Sequence, residues 1–164
     1  MQGAAMSGWR RPALAVAIGA GVAAVCGNAW GMTCSVAATG VNFGTYNPLS
    51  GTPNAATGTV TVTCNVLAGL LASWTVALNT GNSTSFAPRL LVSGASQLTY
   101  NLYTSAAYSS IWGDGSGTTT LVSDQRTLIV GSNISNYTVY GRIPAGQDAG
   151  AGTYLDTIVV TVDY

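Results

Sequence analysis

The sequence predicts an all-β domain, a two-sheet antiparallel sandwich of about seven or eight short strands. Three observations carry the prediction. Val, Thr, Ile and Tyr recur in period-two alternation, most clearly over Thr57–Val66 and Thr153–Tyr164. Clusters of Gly, Pro, Asn and Ser separate these runs and mark turns at the spacing of a sandwich, with a closed barrel as the other packing of the same strands. Good helix formers are scarce: the chain contains no Lys and no Glu, and no stretch has a helical period longer than a turn or two.

The first 31 residues read differently. Arg10 and Arg11 precede a thirteen-residue apolar run, Ala13–Val25, and Ala29-Trp30-Gly31 offers small residues around a cleavage point. This is the layout of a secretory signal peptide, too short in its apolar part for a membrane-spanning helix. Cleavage after Gly31 is expected, which leaves residues 32–164 as one exported domain with no membrane span. That domain carries three Arg against five Asp, a net charge of −2. With no Lys and no basic patch, nucleic-acid binding is not expected.

Along the domain, Cys34–Phe43 is the first expected strand, followed by a turn-rich loop from Tyr46 to Asn54. Thr57–Val66 points Val60, Val62, Cys64 and Val66 one way and threonines the other. Trp74, Val76 and Leu78 alternate with polar neighbours, which turns Trp74 inward. Short strands are expected at Arg89–Val92, Leu98–Thr104, Tyr108–Trp112, Arg126–Val130 and Tyr137–Ile143. The last strand follows Gly150 and Gly152. It sets Tyr154, Ile158, Val160, Val162 and Tyr164 on one face and Thr157, Thr161 and Asp163 on the other. Such a strand needs a neighbour on each edge, and the neighbour on its open edge is expected to come from outside this run of strands.

Cys26 falls inside the expected signal segment, leaving Cys34 and Cys64. An even pair in an exported chain predicts a disulfide, meeting across the core if the first two strands pack on each other. Closing a loop of that length is worth roughly 3–4 kcal/mol.

The inventory excludes most catalysis. With no His, Glu or Lys, there is no Ser–His–Asp triad, no Glu-based acid and no Schiff-base lysine. The five Asp lie on turns and strand ends and read as solvated surface carboxylates, so no catalytic residue is assigned. Asp114, Ser116 and Thr118 look like half a calcium loop without its bidentate acid, and read as a tight turn. No metal or cofactor is expected.

Several stretches together resemble a known family. They are Cys34-Ser35-Val36, Gly40-Val41-Asn42-Phe43-Gly44-Thr45-Tyr46-Asn47-Pro48-Leu49, Gly58–Cys64, Leu98-Thr99-Tyr100-Asn101-Leu102-Tyr103, Trp112-Gly113-Asp114-Gly115 and Ala151–Thr157. In order and spacing the chain resembles the spore coat protein U domain family, which includes pilin subunits of the archaic chaperone–usher pathway. The resemblance implies an incomplete Ig-like Greek-key sandwich lacking its last strand. A periplasmic pilus chaperone would lend that strand, and an outer-membrane usher would exchange it for the N-terminal extension of another pilin-like subunit. The product would be a surface fibre or a spore or outer coat, serving adhesion and biofilm formation. The acceptor cleft would have Ile158, Val160, Val162 and Tyr164 on its floor and Val36, Val41 and Phe43 on its opposite wall. With cleavage after Gly31, only Met32 and Thr33 precede Cys34, too little for a donor strand, so the chain is expected to accept a strand rather than give one. The competing reading is a self-contained secreted carbohydrate-binding, lectin-like sandwich, which requires exposed aromatic residues such as Trp112.

Overall fold

A computed structural model describes residues 5–8 and 31–164; most of the expected signal segment lies outside the described residues. Nine strands follow in chain order: β1 Ala5–Gly8, β2 Met32–Thr39, β3 Asn54–Val66, β4 Leu70–Leu78, β5 Arg89–Ser93, β6 Ser96–Tyr103, β7 Val122–Leu128, β8 Gly131–Ile143 and β9 Thr157–Asp163. They form a five-stranded sheet, β2-β3-β8-β6-β5, and a four-stranded sheet, β1-β9-β4-β7. Every ladder is antiparallel except β1–β9, which is parallel. Among the described residues there is no helix.

Alternation explains the core. β3 turns Val60, Val62, Cys64 and Val66 inward, β4 turns Ala72, Trp74, Val76 and Leu78, and β9 turns Ile158 and Val160, all buried in one cluster. The two inner faces meet as in any face-to-face sandwich. The spine of the larger sheet is the β3–β8 ladder, which runs unbroken from Asn54↔Ile143 to Val66↔Gly131.

Several expected elements come out differently, among them the strand expected at Arg126–Val130, which runs Val122–Leu128, and the last strand, which starts at Thr157 rather than Thr153. The first strand ends at Thr39, not Phe43. Val41 and Phe43 lie past its end, packed where two glycines leave room. A Cβ at Gly141 would sit 2.6 Å from Val41 Cγ1 and 2.7 Å from Phe43 Cζ, and one at Gly58 would sit 2.7 Å from the Thr39 carbonyl oxygen. The polar run Gly131–Asn136, expected as a connection, belongs to β8, because pairing with β3 outweighs its weak intrinsic strand preference. The turn before it is made of Ile129 and Val130, 71% and 66% exposed. Tyr108–Trp112 is not a strand; only Ile111 and Trp112 form isolated bridges.

Cys34 and Cys64 are bonded, with Cα atoms 4.1 Å apart. They are direct partners in the β2–β3 ladder rather than residues facing each other across the core. Asp114 accepts a 2.9 Å hydrogen bond from Ser116 N, which closes the tight turn expected there. Trp112 is 0% exposed and donates from Nε1 to the Val76 carbonyl at 2.9 Å. The exposed-aromatic requirement of the lectin-like reading therefore fails at this residue. Its ring is one of the largest apolar surfaces in the chain, and its only polar atom is satisfied inside.

Candidate strand-acceptor groove

β9 pairs with β4 along one edge, from Leu78↔Val160 to Thr75↔Asp163. Its other edge is where the two sheets come apart. Among the described residues, β2 is the outermost strand of its own sheet, with a ladder to β3 alone. β1 stands in the gap, lying against β2 and forming a parallel ladder with β9 from Ala5↔Thr157 to Gly8↔Val160. The chain thus fills part of the edge with four residues of its own N-terminus. An unpaired row of N–H and C=O groups beside an apolar interior favours such a guest.

The β1 ladder stops at Val160, so Thr161–Asp163 extend beyond it along that edge. The same end of the sandwich opens into a groove of about 740 Å³, lined by Gly31, Met32, Leu67, Leu70, Leu71 and Tyr164 among others. Apolar side chains dominate this lining. Exposed Leu67 and Leu71 sit beside it.

The expected cleft residues fall into three groups. Val41, Phe43, Ile158 and Val160 are buried in the common core, while Val36 and Val162 pack against it half-buried. Tyr164 is 43% exposed at the groove. Ile158, Val160 and Val162 share one face of β9, as alternation predicts. Val36 lies on β2. Val41 and Phe43 lie beyond that strand, with Phe43 edge-on to Tyr100 at 5.8 Å between ring centroids.

A polar network that the sequence did not flag fixes where β9 begins. Asp156 is buried, contrary to its expected place among solvated carboxylates. Its Oδ1 accepts from Asn82 N and Thr157 N, both at 2.7 Å, and its Oδ2 accepts from Tyr100 Oη at 2.6 Å. One residue earlier, Leu155 exchanges backbone hydrogen bonds with Val92 at 2.9 and 3.0 Å. Asn79 Oδ1 accepts from Val159 N at 2.8 Å, and Asn79 N donates to the Val159 carbonyl at 3.1 Å. Beneath these lies Arg89, fully buried. Its guanidinium donates to the Asn79 and Trp112 carbonyls and to Asn101 Oδ1, at 2.7 to 3.1 Å. Burial lowers the Arg89 pKa from its ordinary value, with Tyr100, Asp156 and Asp114 acting in the opposite sense. Burial, then the Asp156 charge and hydrogen bond, push the Tyr100 phenol far above its ordinary value, so it remains a neutral donor.

Asp156 was within reach of the sequence. It falls at the same parity as Tyr154, Ile158 and Val160, so the alternation that turns those inward turns it inward too. Nothing comparable marks Arg89, which heads an ordinary apolar run.

The model of the Spore Coat Protein U domain matches residues 22–161. Protein U of Myxococcus xanthus is 33% identical over 137 residues, covering 76% of this chain and 71% of that protein. In fold, the chain is similar to one from the CsuC–CsuE chaperone–tip adhesion subunit pre-assembly complex of the archaic chaperone–usher Csu pili of Acinetobacter baumannii. The TM-score is 0.54 and the identity 24%, over 81% of this chain and 40% of that one. Resting on the family match across most of its length and on the likeness to Protein U, the chain belongs to the Spore Coat Protein U domain family.

Proposed function

We propose that the protein is a structural subunit of a bacterial surface fibre or outer coat, completed by a strand that another protein inserts at the free edge of β9. The observation that carries this reading is the parallel β1–β9 ladder. The edge takes a strand, and the strand it takes comes from a segment that the sequence assigns to a cleaved leader. Removing residues 1–31 during export vacates that place. A periplasmic chaperone strand then fills it, and an outer-membrane usher passes the subunit to its neighbours. The similarity in fold to a chain of a chaperone–subunit complex agrees with this route. The protein would cross the periplasm and end at the cell surface, where the fibre or coat serves adhesion and biofilm formation.

From Met32 onward the chain is committed to β2, paired with β3 through Met32↔Val66 to Thr39↔Thr59. An N-terminus at Met32 leaves no residues to lend. The subunit therefore receives a strand and does not give one, as a terminal or minor component would.

The test is to produce residues 32–164 in a periplasm with and without a co-produced chaperone of the archaic chaperone–usher class. The expected result is aggregation or loss of the lone domain and recovery of a one-to-one complex with the chaperone. A lone domain that is monomeric, unfolds reversibly and ignores the chaperone would overturn the proposal.

A further inference from the structure

We propose that the outer face of the five-stranded sheet carries a separate ligand site, centred on Arg142, for a carboxylate-bearing sugar of the uronic acid class. The three arginines of the domain have different surroundings. Arg89 is buried and fully bonded within the protein. Arg126 is engaged by Asp124. Arg142, half-buried on β8, has no hydrogen bond or ion pair from its guanidinium to any described residue. Its one contact of note is with the face of the Tyr108 ring, 5.1 Å from guanidinium carbon to ring centroid. Arg142 is one of the residues lining a groove of about 360 Å³, whose walls also include Pro53, Pro88, Tyr103, Ile111 and Pro144. No carboxylate lines that groove.

The backbone marks the same place. Tyr108 has a φ of 53°, the one positive value at a non-glycine position among the described residues. A bulky residue in that conformation is uncommon and costs of order 1–3 kcal/mol. The bend directs its ring onto Arg142 and edge-on to Tyr103, with centroids 5.4 Å apart at 84°. The ring that lies beside the guanidinium is thus itself braced by a second ring.

The chemistry of the walls selects the ligand. A planar guanidinium with free donors matches a carboxylate in a two-pronged hydrogen-bonded pair. Proline rings and aromatic edges provide the flat apolar surface on which the C–H face of a pyranose rests. The volume is at the small end of the range for small-molecule sites, sufficient for one or two sugar residues. The site lies between β6, β8 and their flanking loops, away from the β9 edge. Its standing is independent of the strand-acceptor proposal.

The experiment is calorimetric titration of the chaperone-bound or otherwise fully assembled protein with a galacturonate tetramer, free galacturonate, and a neutral galactose tetramer. Binding is expected for the acidic sugars and not for the neutral one, weakening as salt is raised. Arg142→Gln is expected to reduce affinity roughly tenfold or more, the loss of a charge-assisted pair, with Arg142→Lys between the two. Arg126→Gln should bind as the unaltered protein does. Thermal unfolding of each variant distinguishes lost binding from lost fold. A tetramer that binds more tightly than the monomer assigns the groove to an acidic polysaccharide. Equal affinities assign it to a single acidic residue, and either supports the site. Equal binding of neutral and acidic tetramers, or undiminished binding by a folded Arg142→Gln protein, would overturn it.

Discussion

Replacing Asp156 tests whether β9 is held in place by its polar anchor or merely by its apolar face. In Asp156→Ala, three donors lose their acceptor at once: Asn82 N, Thr157 N and the Tyr100 hydroxyl. All three surround a side chain that is 2% exposed, so water cannot readily take the place of the carboxylate. An unsatisfied buried donor costs roughly 1–3 kcal/mol, and contributions within one network do not add fully, which gives about 3–5 kcal/mol for the variant. The charge that helps balance buried Arg89 is lost as well. Asp156→Asn keeps an oxygen for the two backbone N–H groups and presents an amide to Tyr100, whose hydroxyl oxygen is able to accept, so its expected cost is about 1–2 kcal/mol. The assay is equilibrium urea unfolding of the exported protein, followed by the fluorescence of buried Trp74 and Trp112, with amide exchange at Thr157–Asp163 as the local readout. The alanine variant should lower the midpoint more than the asparagine variant and speed exchange along β9. A stability for Asp156→Ala within about 1 kcal/mol of the unaltered protein would refute the reasoning.

Two further outcomes follow from contacts already described. Replacing both Cys34 and Cys64 by Ala opens a 30-residue separation in the unfolded chain and should cost roughly 3–4 kcal/mol, read as a fall in urea midpoint that reductant does not deepen further. Because the Tyr100 phenol is raised in the folded state above its unfolded value of 10.0, its contribution is complete below that pH. It is lost as pH rises past that value, where the unfolded chain alone releases the proton. Unfolding midpoints measured from about pH 8 to pH 11 should therefore decline at the alkaline end, and Tyr100→Phe should remove part of the decline.

Alternation made the sandwich legible. β3, β4 and β9 follow from period two, and their inward residues are the ones expected. The disulfide follows from cysteine parity and the expected export. The remaining features depend on partners distant in sequence. Gly131–Asn136 has the composition of a loop and becomes strand only because β3 offers it a complete ladder. Val41 and Phe43 look like a continuation of β2, but the space they occupy is created by Gly58 and Gly141, and local pattern gives no hint of that pairing. Trp112 reads as core by residue type, but its indole N–H partner, the Val76 carbonyl of the opposite sheet, is not identifiable from local pattern. Arg89 is the limiting case, because its acceptors are two backbone carbonyls and an asparagine from three separate loops and strands. At the groove, the inward face of β9 was readable, and the identity of the strand beside it was not.

For the surface location proposed above, the placement of the three arginines bears on survival outside the cell. A protease of trypsin's specificity cuts only after Lys or Arg, and residues 32–164 offer it no Lys and three Arg. Arg89 is enclosed within the fold, Arg142 stands in β8 between two neighbouring strands, and Arg126 is held by Asp124 in a strand paired with β4. Cleavage requires an extended stretch of backbone free to enter the protease, and each site has that backbone engaged in a ladder or buried. Digestion at these sites must wait for local or global unfolding of the sandwich. A chain so poor in charge presents few points of attack to an enzyme that searches for positive side chains, a useful property for material left on a surface among secreted proteases.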